Sequence, residues 1–107
     1  MKKINIVKER KDFDMAFKKK NQLKSKYFYL YINENDYNHY RFGICVSKKL
    51  GKAYQRNKLK RRIKDIIDKS KLHFSSKDYI IVLKHNSKDA LYIELKDDLE
   101  NLLKNLK

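Results

Sequence analysis

Apolar and polar positions alternate with two different periods along this chain, and the changes of period mark its elements. Residues 1–8 are a basic lead-in carrying Ile4, Ile6 and Val7, which predicts a short edge strand. Glu9 to Lys20 then has a helical period: Phe13 and Phe17 stand four apart, one above the other, with Ala16 beside them. Glu9 and Asp12 in its first turn and Lys18, Lys19 and Lys20 in its last suit the helix dipole. Lys26 to Asn33 shifts to a period of two. Phe28, Leu30 and Ile32 form one face, and Tyr27, Tyr29 and Tyr31 form a second face that is also aromatic. A strand with water on one side would carry charge or Thr there. The tyrosine row therefore predicts a face that is covered, or one that offers stacking surface to a ligand.

Glu34 to Tyr40 reads as a polar turn and Arg41 to Ser47 as the next strand, with Phe42, Ile44 and Val46 inward, so the two strands are expected to pair as an antiparallel hairpin. A basic loop containing Gly51 leads into a helix over Ala53 to Lys69. On a helical wheel Leu59, Ile63, Ile66 and Ile67 make a core stripe, while Asn57, Lys60, Arg61 and Lys64 share another arc, and Lys58 and Arg62 flank the stripe on its far side. Asp78 to Lys84 contains YIIVL, apolar on both faces and hence a central strand. Strand, helix and central strand in that order predict a parallel pair joined through the basic helix. Ser87 or Asp89 is the expected N-cap of a last helix over Ala90 to Asn105, with Leu91, Leu95, Leu99, Leu102, Leu103 and Leu106 on one face. These elements describe one α+β domain over residues 1–107, with three helices and a four-stranded mixed sheet.

Charge changes the picture. The chain carries 28 Lys and Arg against 13 Asp and Glu, a formal net charge of +15. Self-repulsion of that size calls for a polyanionic partner. The charge is not evenly spread: Arg41 to Lys64 holds 10 cations, no carboxylate and both glycines. The last helix, with Glu94, Asp97, Asp98 and Glu100 among its lysines, is close to neutral. No apolar run approaches the roughly 20 residues of a membrane-spanning helix. The first residues lack the apolar segment of a secretory signal, and a single cysteine, Cys45, fits a reducing, cytoplasmic setting without disulfides. Cys45 lies in an apolar run and is expected to be a small buried hydrophobe.

Side chains suited to catalysis are missing. His39, His73 and His85 are scattered without ligand spacing, and Gly51-Lys52 lacks the other residues of a phosphate-binding P-loop. Asp65 and Asp68, three apart on the basic helix, have the spacing to share a divalent ion, but a metal pair is the poorer reading of them. The expected site is one for binding phosphates, with no catalytic residue, metal ligand or cofactor in the polypeptide. On periodicity alone Phe13 and Phe17 are most simply core residues.

The stretch RFGICVSKKLGKAYQRNKLKRRIKD resembles the central signature of the bacterial ribonuclease P protein family. That pattern is a strand ending V-S-K-K, a glycine, then R-N-x-x-K-R-x-x-R. It is carried here by Val46, Ser47, Lys48, Lys49, Gly51, Arg56, Asn57, Lys60 and Arg61, with Lys64 where the family usually has Arg. Lysine keeps the charge at that position but loses the two-pronged phosphate grip. Asp12, Phe13 and Phe17 match the family's first helix, Phe28, Tyr29 and Tyr31 its aromatic strand, and DYIIVLK its last strand.

The resemblance implies an α/β sandwich like a small ribosomal protein domain, with a left-handed βαβ crossover through the basic helix where the general rule gives a right-handed one. It implies a protein subunit of a ribonucleoprotein endonuclease that removes the 5′ leader of precursor tRNA. In such an enzyme the RNA subunit binds Mg²⁺ and is the catalyst, and no further protein partner is required. Lys48, Lys49, Lys52, Arg56, Asn57, Lys60, Arg61 and Lys64 become the expected RNA contacts, with Lys60 and Lys64 bordering the leader site. Phe13, Phe17, Phe28, Tyr29 and Tyr31 become the expected wall of a leader-binding cleft. The alternative from another class is a structural ribosomal-type rRNA-binding protein. It accounts for the charge but gives the tyrosine row no purpose.

Overall fold

The computed structural model describes residues 1–19 and 21–106, so the Lys20 end of the expected first helix lies outside the described residues. In chain order the elements are helix α1 (Arg10–Lys18), strands β1 (Gln22–Lys24), β2 (Phe28–Glu34) and β3 (Arg41–Cys45), helix α2 (Ala53–Ser70), strand β4 (Lys77–Leu83) and helix α3 (Tyr92–Lys104). Short 3₁₀ turns occupy Lys3–Asn5, Lys48–Leu50 and His85–Asp89. The sheet order is β1-β2-β4-β3, with β4 antiparallel to β2 and parallel to β3.

This order confirms the parallel pair across α2 and overturns the expected hairpin. β2 and β3 are consecutive in sequence but do not pair, because β4 lies between them. The physical reason is in the residues: Tyr79, Ile80, Ile81 and Leu83 are all buried, and only a slot with a strand on either side and cover on both faces buries such a run. The lead-in is not an edge strand either. It contributes one bridge, Ile6 to Phe42, and the fourth strand is β1, paired to β2 through Leu23 and Leu30.

Register sorts the side chains onto two faces. Phe28 opposite Leu83, Leu30 opposite Ile81 opposite Ile44, and Ile32 opposite Tyr79 opposite Phe42 lie on one face. The stripe Leu59, Ile63, Ile66 and Ile67 of α2, with Leu95, Leu99, Leu102 and Leu103 of α3, packs against that face as the main core. Leu91 does not join it. It precedes the helix and is 67% exposed, and the cap is made by Glu94, whose Oε1 accepts from the Leu91 N–H at 2.9 Å. Ser87, expected as a cap, instead closes the preceding 3₁₀ turn by donating to the Lys84 carbonyl at 2.6 Å. Tyr27 leaves the tyrosine row as well. It precedes β2, is buried in the main core, and its hydroxyl lies 3.3 Å from Glu94.

The other face holds Tyr29 opposite Val82 opposite Cys45, then Tyr31 opposite Ile80 opposite Gly43. A smaller apolar cluster of Val7, Ala16 and Ile80, with Phe13 and Tyr31 packed against it, fixes α1 there. One helix of nine residues cannot cover a four-stranded sheet. The half-covered face is where the candidate site lies.

Candidate nucleic-acid interface

Helix α1 owes its position to two devices. The first is Gly43: a Cβ built there would lie 2.6 Å from Phe13 Cε1 and 2.8 Å from Phe13 Cζ, so only glycine lets the Phe13 ring rest on the sheet. The second is a charge cluster at the end of the same face. Arg41 donates from Nε and Nη2 to the two Asp78 oxygens at 2.8 and 2.6 Å, and Nη2 lies 3.3 Å from Asp12 on α1. The Tyr37 ring covers the guanidinium at 4.4 Å. Hydrogen bonding to Asp78 holds the Arg41 pKa above its ordinary value, so this buried cation stays charged.

With α1 held there, Phe17 meets Tyr31 edge to face at a centroid distance of 4.8 Å, and the Tyr31 hydroxyl accepts from Gln22 at 2.8 Å. Phe17 stays 36% exposed. Further along the face Lys84 Nζ sits 4.7 Å above the Tyr29 ring and donates to the Ser25 carbonyl at 2.5 Å. Phe28 is not part of this wall. It is fully buried in the main core because the pleat turns it to the opposite side from Tyr29, which corrects its expected place in the cleft. Cys45 is only half-buried and faces the groove side of the sheet, rather than being a core residue. Burial pushes its thiol pKa up, and the nearby Lys60 ammonium partly opposes that.

The basic loop and helix are built locally. Ser47 Oγ accepts from the Lys49 N–H at 3.0 Å, and Leu50 is buried beneath the 3₁₀ turn. Gly51 has φ 135°, and a Cβ there would lie 2.4 Å from Gln55 Oε1, the atom that accepts from the Lys52 N–H at 2.8 Å to cap α2. Lys48, Lys49 and Lys52 are consequently exposed at the mouth of the helix. With its apolar stripe in the core, α2 exposes Asn57 and Arg61 and half-buries Arg56, whose Nε is enclosed without a partner. Lys60 and Lys64 turn toward the β3 edge, where they line a depression of about 250 Å³ with Val7, Lys8 and Phe13. The expected cleft cations and the expected cleft aromatic are thus brought together.

Gly43, Arg41, Asp78 and Lys84 were not among the expected site residues. Gly43 had a readable signal, since a glycine inside a strand marks a close approach. The Arg41–Asp78 pair had none, because it joins residues 37 apart. Among the described residues no group of three His, Cys, Asp or Glu side chains converges to hold a metal ion, and no helix is long and apolar enough to cross a membrane.

A cationic helix beside an aromatic groove on a half-covered sheet defines a nucleic-acid-binding protein of the α+β class. Known proteins make this specific. The ribonuclease P family model matches residues 1–107. The ribonuclease P protein component of Staphylococcus aureus (strain Mu3) is 36% identical over 105 residues, which span 97% of this chain and 91% of the relative. A solved Staphylococcus aureus RNase P protein superposes with a TM-score of 0.86 at 36% identity, covering 94% of this chain and 93% of the other. The RNase P protein from Thermotoga maritima gives 0.85 at 29% identity, covering 94% and 96%. The chain belongs to the ribonuclease P protein family and is a protein component of that tRNA-processing ribonucleoprotein, not a structural ribosomal protein.

Proposed function

We propose that this chain holds the single-stranded 5′ leader of precursor tRNA in the groove between α1 and the β3 edge, and grips the RNA subunit through its basic loop and α2. In this reading Phe13, Phe17, Tyr29 and Tyr31 supply stacking faces, and Lys60 and Lys64 meet the leader phosphates. Lys48, Lys49, Lys52, Arg56, Asn57 and Arg61 contact the RNA subunit. The polypeptide binds and orients; the RNA subunit holds Mg²⁺ and cleaves, with no further protein partner or protein-bound cofactor, in the cytoplasm. Base–aromatic stacking contributes about 1–3 kcal/mol per base and tolerates any base, which suits a leader of variable sequence.

The observation that carries the reading is the meeting of Phe13 with Lys60 and Lys64 at one groove, with the half-open Phe17–Tyr31 pair on the same helix and sheet face. A purely structural rRNA binder has no use for aromatics left half-open next to cations. Neutralising about five phosphates should lower affinity for the RNA subunit on the order of a few-hundred-fold between about 50 and 200 mM salt. The test is reconstitution: the protein is added to a bacterial ribonuclease P RNA and 5′-labelled precursor tRNA at low Mg²⁺. Restored release of the leader is expected. Tight RNA binding without any gain in cleavage would refute the leader role.

A further inference from the structure

Cations on α2 form two ridges. Lys60 and Lys64, four residues apart, run along the side that borders the leader groove. Tyr54, Lys58 and Arg62 have the same spacing and, two positions offset, run along the opposite side. Nothing in the proposed leader or RNA-subunit contacts uses the second ridge.

That ridge is one wall of a separate groove of about 340 Å³ floored by Leu50 and Leu59. The facing wall is the 3₁₀ turn His85–Asp89, pinned by the buried Ser87, which presents Lys88 and Asp89. Tyr54 is 66% exposed, a large aromatic left in solvent at the rim. Among the described residues, no carboxylate pairs with Lys58, Arg62 or Lys88 in an ion pair. Three free cations against one rim carboxylate, with an apolar floor and an exposed aromatic, match an RNA segment with one unstacked nucleotide.

We propose that this groove is a second RNA-binding site, taking an unstacked nucleotide of the RNA subunit on Tyr54 with its flanking phosphates on Lys58, Arg62 and Lys88. The inference rests on the proposed function above and extends it. The occupant is the RNA subunit and not the leader for a geometric reason: the groove opens on the far flank of α2 from Lys60 and Lys64. It is also continuous, through Leu50, with the basic turn Lys48–Leu50 assigned to the RNA subunit. Helix α2 would then lie between two RNA segments, leader on one side and catalytic RNA on the other.

The test measures affinity of the full chain for a ribonuclease P RNA transcript without substrate, and separately the preference of the holoenzyme for precursor over mature tRNA. Tyr54→Ala should weaken RNA-subunit binding about 5- to 150-fold, while Tyr54→Phe keeps it. Lys58→Ala with Arg62→Ala should reduce the slope of log affinity against log salt by about 1.5. The preference for precursor tRNA should be unchanged in every variant. Unaltered RNA affinity and salt slope in the variants would overturn the groove assignment alone, as would a loss confined to precursor tRNA. Failure of the unaltered chain to bind the RNA would overturn the parent reading and the groove with it.

Discussion

Gly43→Ala isolates the contact on which the groove wall depends. The new Cβ would stand 2.6 Å from Phe13 Cε1 and 2.8 Å from Ile80 Cδ1. Carbon atoms at rest sit roughly 3.5–4 Å apart, so each of these partners must give by about 1 Å. Ile80 Cδ1 is the end of a flexible side chain and can move, but Phe13 is a rigid ring carried by a helix that Arg41 and Asp12 tether. Overpacking of this kind costs about 1–3 kcal/mol. A strand glycine replaced by alanine recovers about 0.5–1 kcal/mol of backbone entropy. The net expectation is a loss of about 0.5–2 kcal/mol, or about 2–10 °C in Tm for a domain of this size. The decisive experiment is a double-mutant cycle by urea unfolding. In a Phe13→Ala background the ring clash is gone and Ile80 Cδ1 can swing into the vacated space, so Gly43→Ala should change sign and become neutral or stabilising. The same penalty in both backgrounds would refute the claim that Gly43 exists to seat the Phe13 ring.

Asp78→Ala strips Arg41 of its two-pronged partner inside the protein and leaves only the longer Asp12 contact. It should cost about 3 kcal/mol in urea unfolding, and a loss under about 1 kcal/mol would mean that the pair is far more solvated than its burial indicates. Lys60 opposes the upward shift of the Cys45 thiol, so Lys60→Ala should raise that pKa further and slow alkylation of Cys45 by iodoacetamide at about pH 8. Since Cys45 faces the groove side of the sheet, bound precursor tRNA should also protect it in the holoenzyme. Equal alkylation rates with and without substrate would remove the leader from that end of the groove.

Much of this architecture is legible before folding because it is local. The α2 stripe of Leu59, Ile63, Ile66 and Ile67 is a matter of period, and all four are buried. The double-sided apolar run of β4 announces a central strand, and it is one. What stays hidden is nonlocal. The slot between β2 and β3 is filled by a strand more than 30 residues later, so a polar turn between two adjacent strands misleads as a hairpin signal. β1 is three residues with one apolar member, too short to carry a period, and it exists because β2 has an open edge. Phe28 teaches a different lesson. Its alternation with Leu30 and Ile32 assigns it to the core face, and only the family resemblance groups it with Tyr29 and Tyr31. The pleat decides its place, and Phe28 is buried in the main core.

On the proposed function, the half-covered face of the sheet recognises the leader. The most direct measurement is the affinity of the reconstituted holoenzyme for precursor and for mature tRNA, with the unaltered chain and with Phe17→Ala combined with Tyr31→Ala. Both side chains are at least partly solvent-exposed, so the doubly substituted chain should remain folded. Removing one edge-to-face pair that stacks one or two bases should weaken precursor binding by about 1–3 kcal/mol, roughly 5- to 150-fold, with mature tRNA affinity unchanged. Equal loss for both tRNAs, or none for either, would contradict the account.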